Sequence, residues 1–92
     1  MTNYLNTCLI GCGSHGGGRL APAIQTNETA LLAGCVDADV ETARTVAGPD
    51  TPVSTDISEL LLHADIDAAV VAVPHDQLAP VTLQCLEVGL HV

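Results

Sequence analysis

The stretch Cys8-Leu9-Ile10-Gly11-Cys12-Gly13-Ser14-His15-Gly16 sets three glycines, in the pattern Gly-x-Gly-x-x-Gly, directly behind a short apolar strand. A second apolar run, Ala30 to Val36, is closed by Asp37. Strand, glycine turn and a following acid together point to a fold that grips the phosphates and ribose of a dinucleotide. Gly11 permits the tight turn out of the strand, and Gly13, without a Cβ, lets the backbone approach a pyrophosphate. Gly16 lets the next helix pack close to the sheet. The start of that helix faces the phosphates with free N–H groups and a partial positive charge.

Outward from this stretch, the first strand is predicted over 4–10. Leu20, Ala23 and Ile24 recur at helical spacing, with Pro22 where a helix tolerates it. Ala30 to Val36 has the continuous apolar character of a strand covered on both faces. Asp39 caps a second helix whose apolar stripe is Val40, Ala43, Val46 and Ala47, stopped by Gly48-Pro49-Asp50. Val53-Ser54 is at most a very short strand. Asp56 and Glu59 have capping-box spacing and open a helix through Leu60, Leu61 and Leu62. Ala68 to Val73 is a further buried strand ended by Pro74. A helix follows over 76–88 with Pro80 in its first turn and Gly89 at its end, and His91-Val92 begins a fifth strand. Such β-α alternation gives an α/β fold, a Rossmann-type doubly wound parallel sheet with right-handed crossovers. Residues 1–92 form one dinucleotide-binding domain, and the short last strand has the look of a chain cut before its next domain.

Composition fits. Apolar residues make up 48% of the 92 and charged residues 14%, too apolar for disorder. Tyr4 is the one aromatic residue, so Val, Leu, Ile and Ala must build the core, as buried parallel strands prefer. The net charge is −9, with no lysine and only Arg19 and Arg44 as fixed cations. Such a surface repels nucleic acid and anionic membranes, and leaves a bound phosphate chiefly to backbone N–H groups. Cys8, Cys12, Cys35 and Cys85 have no Cys-x-x-Cys spacing, so neither a zinc site nor a thioredoxin-like motif is expected. With no basic apolar leader and no apolar run of membrane-spanning length, the expected location is cytoplasmic.

Asp37 can accept both hydroxyls of an adenosine ribose, which favours NAD; a 2′-phosphate would sit against its charge. Ala38 offers NADP no cation. The alternative is that Asp37 only caps the turn into Asp39. His15 either touches a phosphate or is a solvated loop residue. Val71-Ala72-Val73-Pro74-His75-Asp76 lies at the carboxyl end of the fourth strand, beside the crevice where such sheets bind ligands. Ala72, Val73 and Pro74 suit the nicotinamide side, and His75 either contacts cofactor or substrate or caps the next helix. Nothing supplies a nucleophile–base pair or a metal cluster.

The order of these motifs resembles the Gfo/Idh/MocA oxidoreductases, the relatives of glucose–fructose oxidoreductase and inositol dehydrogenase. The resemblance runs through Cys8 to Gly16, Val36-Asp37-Ala38-Asp39, Ser54 to Leu61, Asp65 to Pro74 and Leu86 to Val92. It implies an NAD(P)-binding Rossmann domain followed by a larger α/β domain that binds substrate and forms the interface of a homo-oligomer. By resemblance, Gly11, Cys12, Gly13, Ser14 and His15 lie along the pyrophosphate and Asp37 on the adenosine ribose, with Gly16 completing the cofactor-binding glycine motif. Ala72, Val73, Pro74 and His75 lie beside the nicotinamide ribose. The family's Glu-Lys-Pro motif, whose lysine commonly takes part in catalysis, would come after Val92, so no catalytic residue is expected in this stretch. Leu78 and Leu90 stand where the family often has histidine and lysine.

The implied activity is an NAD-dependent oxidoreductase acting on CH–OH groups of a sugar, cyclitol or related polyol. A non-catalytic nucleotide-sensing module and a Rossmann-like methyltransferase are the rivals. The Val73-Pro74-His75 strand end favours the oxidoreductase.

Overall fold

Parallel strands covered by helices on both faces account for the apolar runs. The structure, a computed structural model, describes residues 5–13, 16–27 and 29–92. Its elements are β1 (Leu5–Ile10), a π-helical turn (Gly16–Leu20) running into α1 (Ala21–Gln25), β2 (Ala30–Val36) and α2 (Val40–Ala47). Then come β3 (Val53–Ser54), α3 (Ile57–Leu60), β4 (Ala68–Val71) and α4 (His75–Glu87). The four strands are all parallel, in the order β3-β2-β1-β4. His91 adds one parallel bridge to Ala68, donating its N–H to Asp67 O and accepting from Ala69 N–H at 2.7 Å. The fifth strand expected at His91-Val92 is this single bridge.

Two apolar layers hold the sheet between its helices. Cys8, Ile10, Val36 and Ala69 pack against Ile57 and Leu60 of α3, Cys85 of α4 and Leu90. Leu9, Leu32 and Cys35 pack on the other face against Ala21 and Ile24 of α1 and Ala43 of α2. Leu32 and Cys35 share a face although three residues apart. The reason is a register shift in which Thr7 pairs Leu32 but Cys8 pairs Gly34, leaving Ala33 as an extra residue in β2.

Several boundaries differ from the sequence reading. Tyr4 lies outside the described residues. β4 ends at Val71, two residues early, because Val73-Pro74 turns toward α4 and Pro74 has no N–H for a ladder. α4 begins at His75, which puts Pro80 inside the helix rather than in its first turn. Asp76 and Pro80 are both exposed, so water can satisfy the carbonyl that Pro80 leaves without a donor. α3 is one turn long, and Leu62 is 79% exposed rather than packed. Asp39 and Asp56 cap α2 and α3 as expected, accepting from Glu41 N–H at 3.0 Å and Ser58 N–H at 2.8 Å. Among the described residues no helix is long and apolar enough to cross a membrane.

Leu60 is the keystone of the α3/α4 layer. It is 1% exposed, and its Cδ2 would lie 2.7 Å from a Cβ built on Gly34, so it presses directly on the β2 backbone. Leu60→Ala should therefore cost about 3 kcal/mol through lost burial and a cavity. Urea unfolding checks this, and a midpoint equal to the parent's would mean the layer can collapse around the gap.

Candidate cofactor-binding site

All four strands point their carboxyl ends to one edge of the sheet, and an open cleft of about 850 Å³ lies there. β1 contributes Ile10 and Gly11, with Gly13 beyond; β2 contributes Val36 and Asp37; the end of β4 contributes Val71, Ala72, Val73 and Pro74. This is where an open α/β sheet binds ligands, outside the strand ends where the chain order reverses. Here the reversal falls at β1, flanked by β2 and β4.

Gly11 is held at φ +92°, where side chains are disfavoured, and a Cβ there would lie 2.6 Å from Ala72 O. The first glycine is thus fixed both by its turn and by the end of β4. Among the described residues a Cβ on Gly13 would meet nothing within 4 Å, and Gly13 faces the cleft. Its bare backbone therefore borders the open cleft.

A close approach of the kind expected of the third glycine is seen at Gly17. A Cβ there would lie 2.6 Å from Cys12 O and 2.7 Å from Val46 Cγ2. Gly16 opens the π-helical turn, and Gly17 N–H donates to Gly13 O at 2.6 Å, closing the loop onto the helix. Ser14 and His15 lie outside the described residues.

Asp37 ties the site together. One carboxylate oxygen, Oδ2, accepts from Cys12 N–H at 2.7 Å, and Oδ1 accepts from Asp39 N–H at 2.9 Å. The acid thus orders the turn into α2 and also pins the glycine loop. Each carboxylate oxygen has a second lone pair, so acceptor capacity remains toward the cleft that Asp37 lines. Cys12 contributes only its backbone here. Its side chain is 3% exposed and turns into the core.

Arg44 is committed to the scaffold. It donates from Nη1 to Gly48 O at 2.9 Å and Thr51 O at 3.0 Å. Arg19 is exposed in the π-helical turn.

His75 is not brought to the cleft. As the first residue of α4 it lines a second, shallower pocket with Leu78, Ala79, Thr82, Leu83 and Leu86. The cleft instead gains residues that the sequence does not mark as ligand contacts. Ala38, Thr55 and Asp56 follow β2 and β3, and Gln77, Val81 and Gln84 come from one face of α4. Gln84 Nε2 donates to Asp56 Oδ1 at 3.2 Å, bracing α4 against the cap of α3. Two signals for these residues were present. Thr55 and Asp56 directly follow the carboxyl end of β3, and 77, 81 and 84 have the spacing of one helix face.

This arrangement can hold an elongated ligand along the strand ends. The loop and Asp37 sit at one part of it, and the apolar Val73-Pro74 segment at another. Among the described residues, no group of three or more His, Cys, Asp or Glu could hold a metal ion.

Comparison with known proteins agrees. Residues 5–92 match the profile of an oxidoreductase family with an NAD-binding Rossmann fold, Gfo/Idh/MocA. The chain belongs to this family. A search of curated proteins returned no match.

Among solved Gfo/Idh/MocA-like structures, GenD2 from gentamicin A biosynthesis, in complex with NAD, is 25% identical with a TM-score of 0.87, over 98% of this chain and 26% of that one. A Sinorhizobium meliloti 1021 protein provisionally assigned as a myo-inositol dehydrogenase is 31% identical with a TM-score of 0.81, over 94% of this chain and 26% of that one. The apo scyllo-inositol dehydrogenase of Lactobacillus casei is 25% identical with a TM-score of 0.82, over 100% of this chain and 28% of that one. The chain thus spans about a quarter of the length of these solved relatives. The fold and the NAD-binding character read from Gly11, Gly13 and Asp37 are those of the Gfo/Idh/MocA family.

Proposed function

We propose that these residues form the dinucleotide-binding part of an NAD-dependent oxidoreductase acting on CH–OH groups of a sugar, cyclitol or related polyol. The observation that carries the reading is Asp37, which pins the glycine loop by Cys12 N–H and still faces the cleft. The inositol dehydrogenases among the similar structures support the substrate class.

Gly11, Cys12, Gly13, Ser14, His15 and Gly16 would run along the pyrophosphate, the N–H groups of Gly11 and Cys12 being already given to Val36 O and Asp37, and Asp37 would accept the adenosine ribose hydroxyls. Ala72, Val73 and Pro74 would line the nicotinamide side. His75 would reach it only by turning from the second pocket. When bound, the dinucleotide supplies the hydride acceptor. These residues would bind and orient it. Substrate walls and the surfaces of a homo-oligomer would belong to a further domain. The free cysteines suit a reducing, cytoplasmic location.

Calorimetric titration of the whole protein with NADH, NADPH and S-adenosylmethionine tests the reading. Binding of NADH is expected, and binding of S-adenosylmethionine alone would overturn it. Asp37→Asn should weaken NADH by roughly tenfold, the loss of a charge-assisted hydrogen bond, and NADPH by less. Equal losses for both would take Asp37 off the ribose.

A further inference from the structure

Asp56 is held more firmly than capping α3 requires. Its N–H donates to Ser54 Oγ at 3.1 Å, and its carbonyl accepts from Leu60 N–H at 3.0 Å. One carboxylate oxygen, Oδ1, accepts from both Ser58 N–H at 2.8 Å and Gln84 Nε2 at 3.2 Å. The cap of α3 and the brace to α4 thus both fall on Oδ1. Oδ2 takes neither bond, and Asp56 lines the cleft. An ionised carboxylate only accepts, so the ligand group that suits Oδ2 is an N–H or O–H.

The sheet order tells which part of a dinucleotide comes there. The strands run β3-β2-β1-β4, with neighbours about 4.8 Å apart. The glycine loop follows β1 and Asp37 follows β2. Thr55 and Asp56 follow β3, where Ser54 is the register partner of Val36 and its carbonyl accepts from Asp37 N–H at 3.2 Å. With the pyrophosphate on the β1 loop and the ribose on Asp37, the next group along the same line is the base, at the end of β3. Val81, one turn before Gln84 on the same face of α4, adds an apolar wall for a flat ring.

We propose that Asp56 is a specificity-determining residue for the base of the cofactor, its Oδ2 accepting from the exocyclic amine of adenine. This rests on the dinucleotide reading above. The site then favours adenine over hypoxanthine, in which a carbonyl replaces the amine and sets oxygen against carboxylate. The bonds to Ser54, Leu60, Ser58 and Gln84 keep Asp56 from turning to the neighbouring ring N–H of hypoxanthine.

Asp56→Asn separates this role from capping. Asn caps a helix about as well as Asp, so α3 keeps its start. Ser58 N–H needs an acceptor, which holds the amide oxygen at the Oδ1 position and leaves the NH2 group for the cleft. A donor then stands where an acceptor stood.

The test titrates the whole protein with NADH and with reduced nicotinamide hypoxanthine dinucleotide, followed by cofactor fluorescence. The parent should bind NADH at least about tenfold more tightly, the worth of a charge-assisted hydrogen bond. Asp56→Asn should abolish or reverse that preference, with a melting temperature close to the parent's. Asp56→Ser, which also caps but is too short to reach the base, should bind the two equally, and it decides the matter if the first variant folds poorly. Equal binding of the two by the parent, or a preference kept in both variants, would overturn the base contact, while NADH binding would still uphold the dinucleotide reading. If the parent binds neither, that reading falls and the base contact falls with it.

Discussion

Replacing Gly11 with alanine is expected to destabilise the fold by about 3 kcal/mol or more. Two independent costs add. The residue is held at φ +92°, where an L side chain costs about 1–2 kcal/mol. A Cβ would also lie 2.6 Å from Ala72 O and 2.7 Å from Ala72 C, both backbone atoms. That backbone cannot simply retreat, because Ala72 N–H donates to Ile10 O at 2.7 Å and Gly11 N–H to Val36 O at 2.8 Å. Relief would mean parting β1 from the end of β4, which opens both apolar layers. Thermal unfolding checks this, and a variant that melts with the parent would show that the Ala72 turn is soft.

Gly13→Val should do the reverse. Among the described residues nothing lies within 4 Å of a Cβ at Gly13, and its φ is not positive. Stability should therefore stay within about 0.5 kcal/mol of the parent. The branched side chain would occupy the cleft that Gly13 borders, where the pyrophosphate is proposed to lie. NADH affinity should fall at least ~100-fold, equivalent to about 2.7 kcal/mol. Fluorescence titration and melting on the same sample separate the two effects. Unchanged affinity would move the phosphates away from this loop, whereas a fallen melting temperature would give Gly13 a packing role. The two glycines, two residues apart, thus separate protein space from ligand space.

The glycine pattern was legible because its constraints are local. A turn at φ +92° directly behind a strand leaves its mark in the sequence. The capping acids Asp39 and Asp56 were legible for the same reason: each accepts from a backbone N–H two residues away. The double engagement of Asp37 was only half legible. Its bond to Asp39 N–H is local, but its bond to Cys12 N–H spans 25 residues and exists only once β1 and β2 are paired. Gly17 carries no such local mark, because its need for close approach is set by the way the loop folds back to bring Cys12 O near it and by Val46 on another helix. The α4 wall was missed because Gln77 and Gln84 are polar, and an apolar stripe does not show which polar side borders a cleft. The extra residue in β2 was hidden by continuous apolarity, since a run of apolar residues carries no alternation to betray a slip.

The central position of β1 has a consequence for synthesis on the ribosome. Its first neighbour, β2, pairs Leu5 with Ala30 and follows closely. Its second neighbour is sealed where Asn6 N–H meets the Asp67 carboxylate, 61 residues along the chain. At translation speeds of about 5–20 residues per second, the β4 side of β1 stays open for roughly 3–12 s. During that interval Cys8 and Ile10, buried in the finished fold, lack their cover from α3 and α4. The nascent half-sheet is thus the stage at which a chaperone has most to shield.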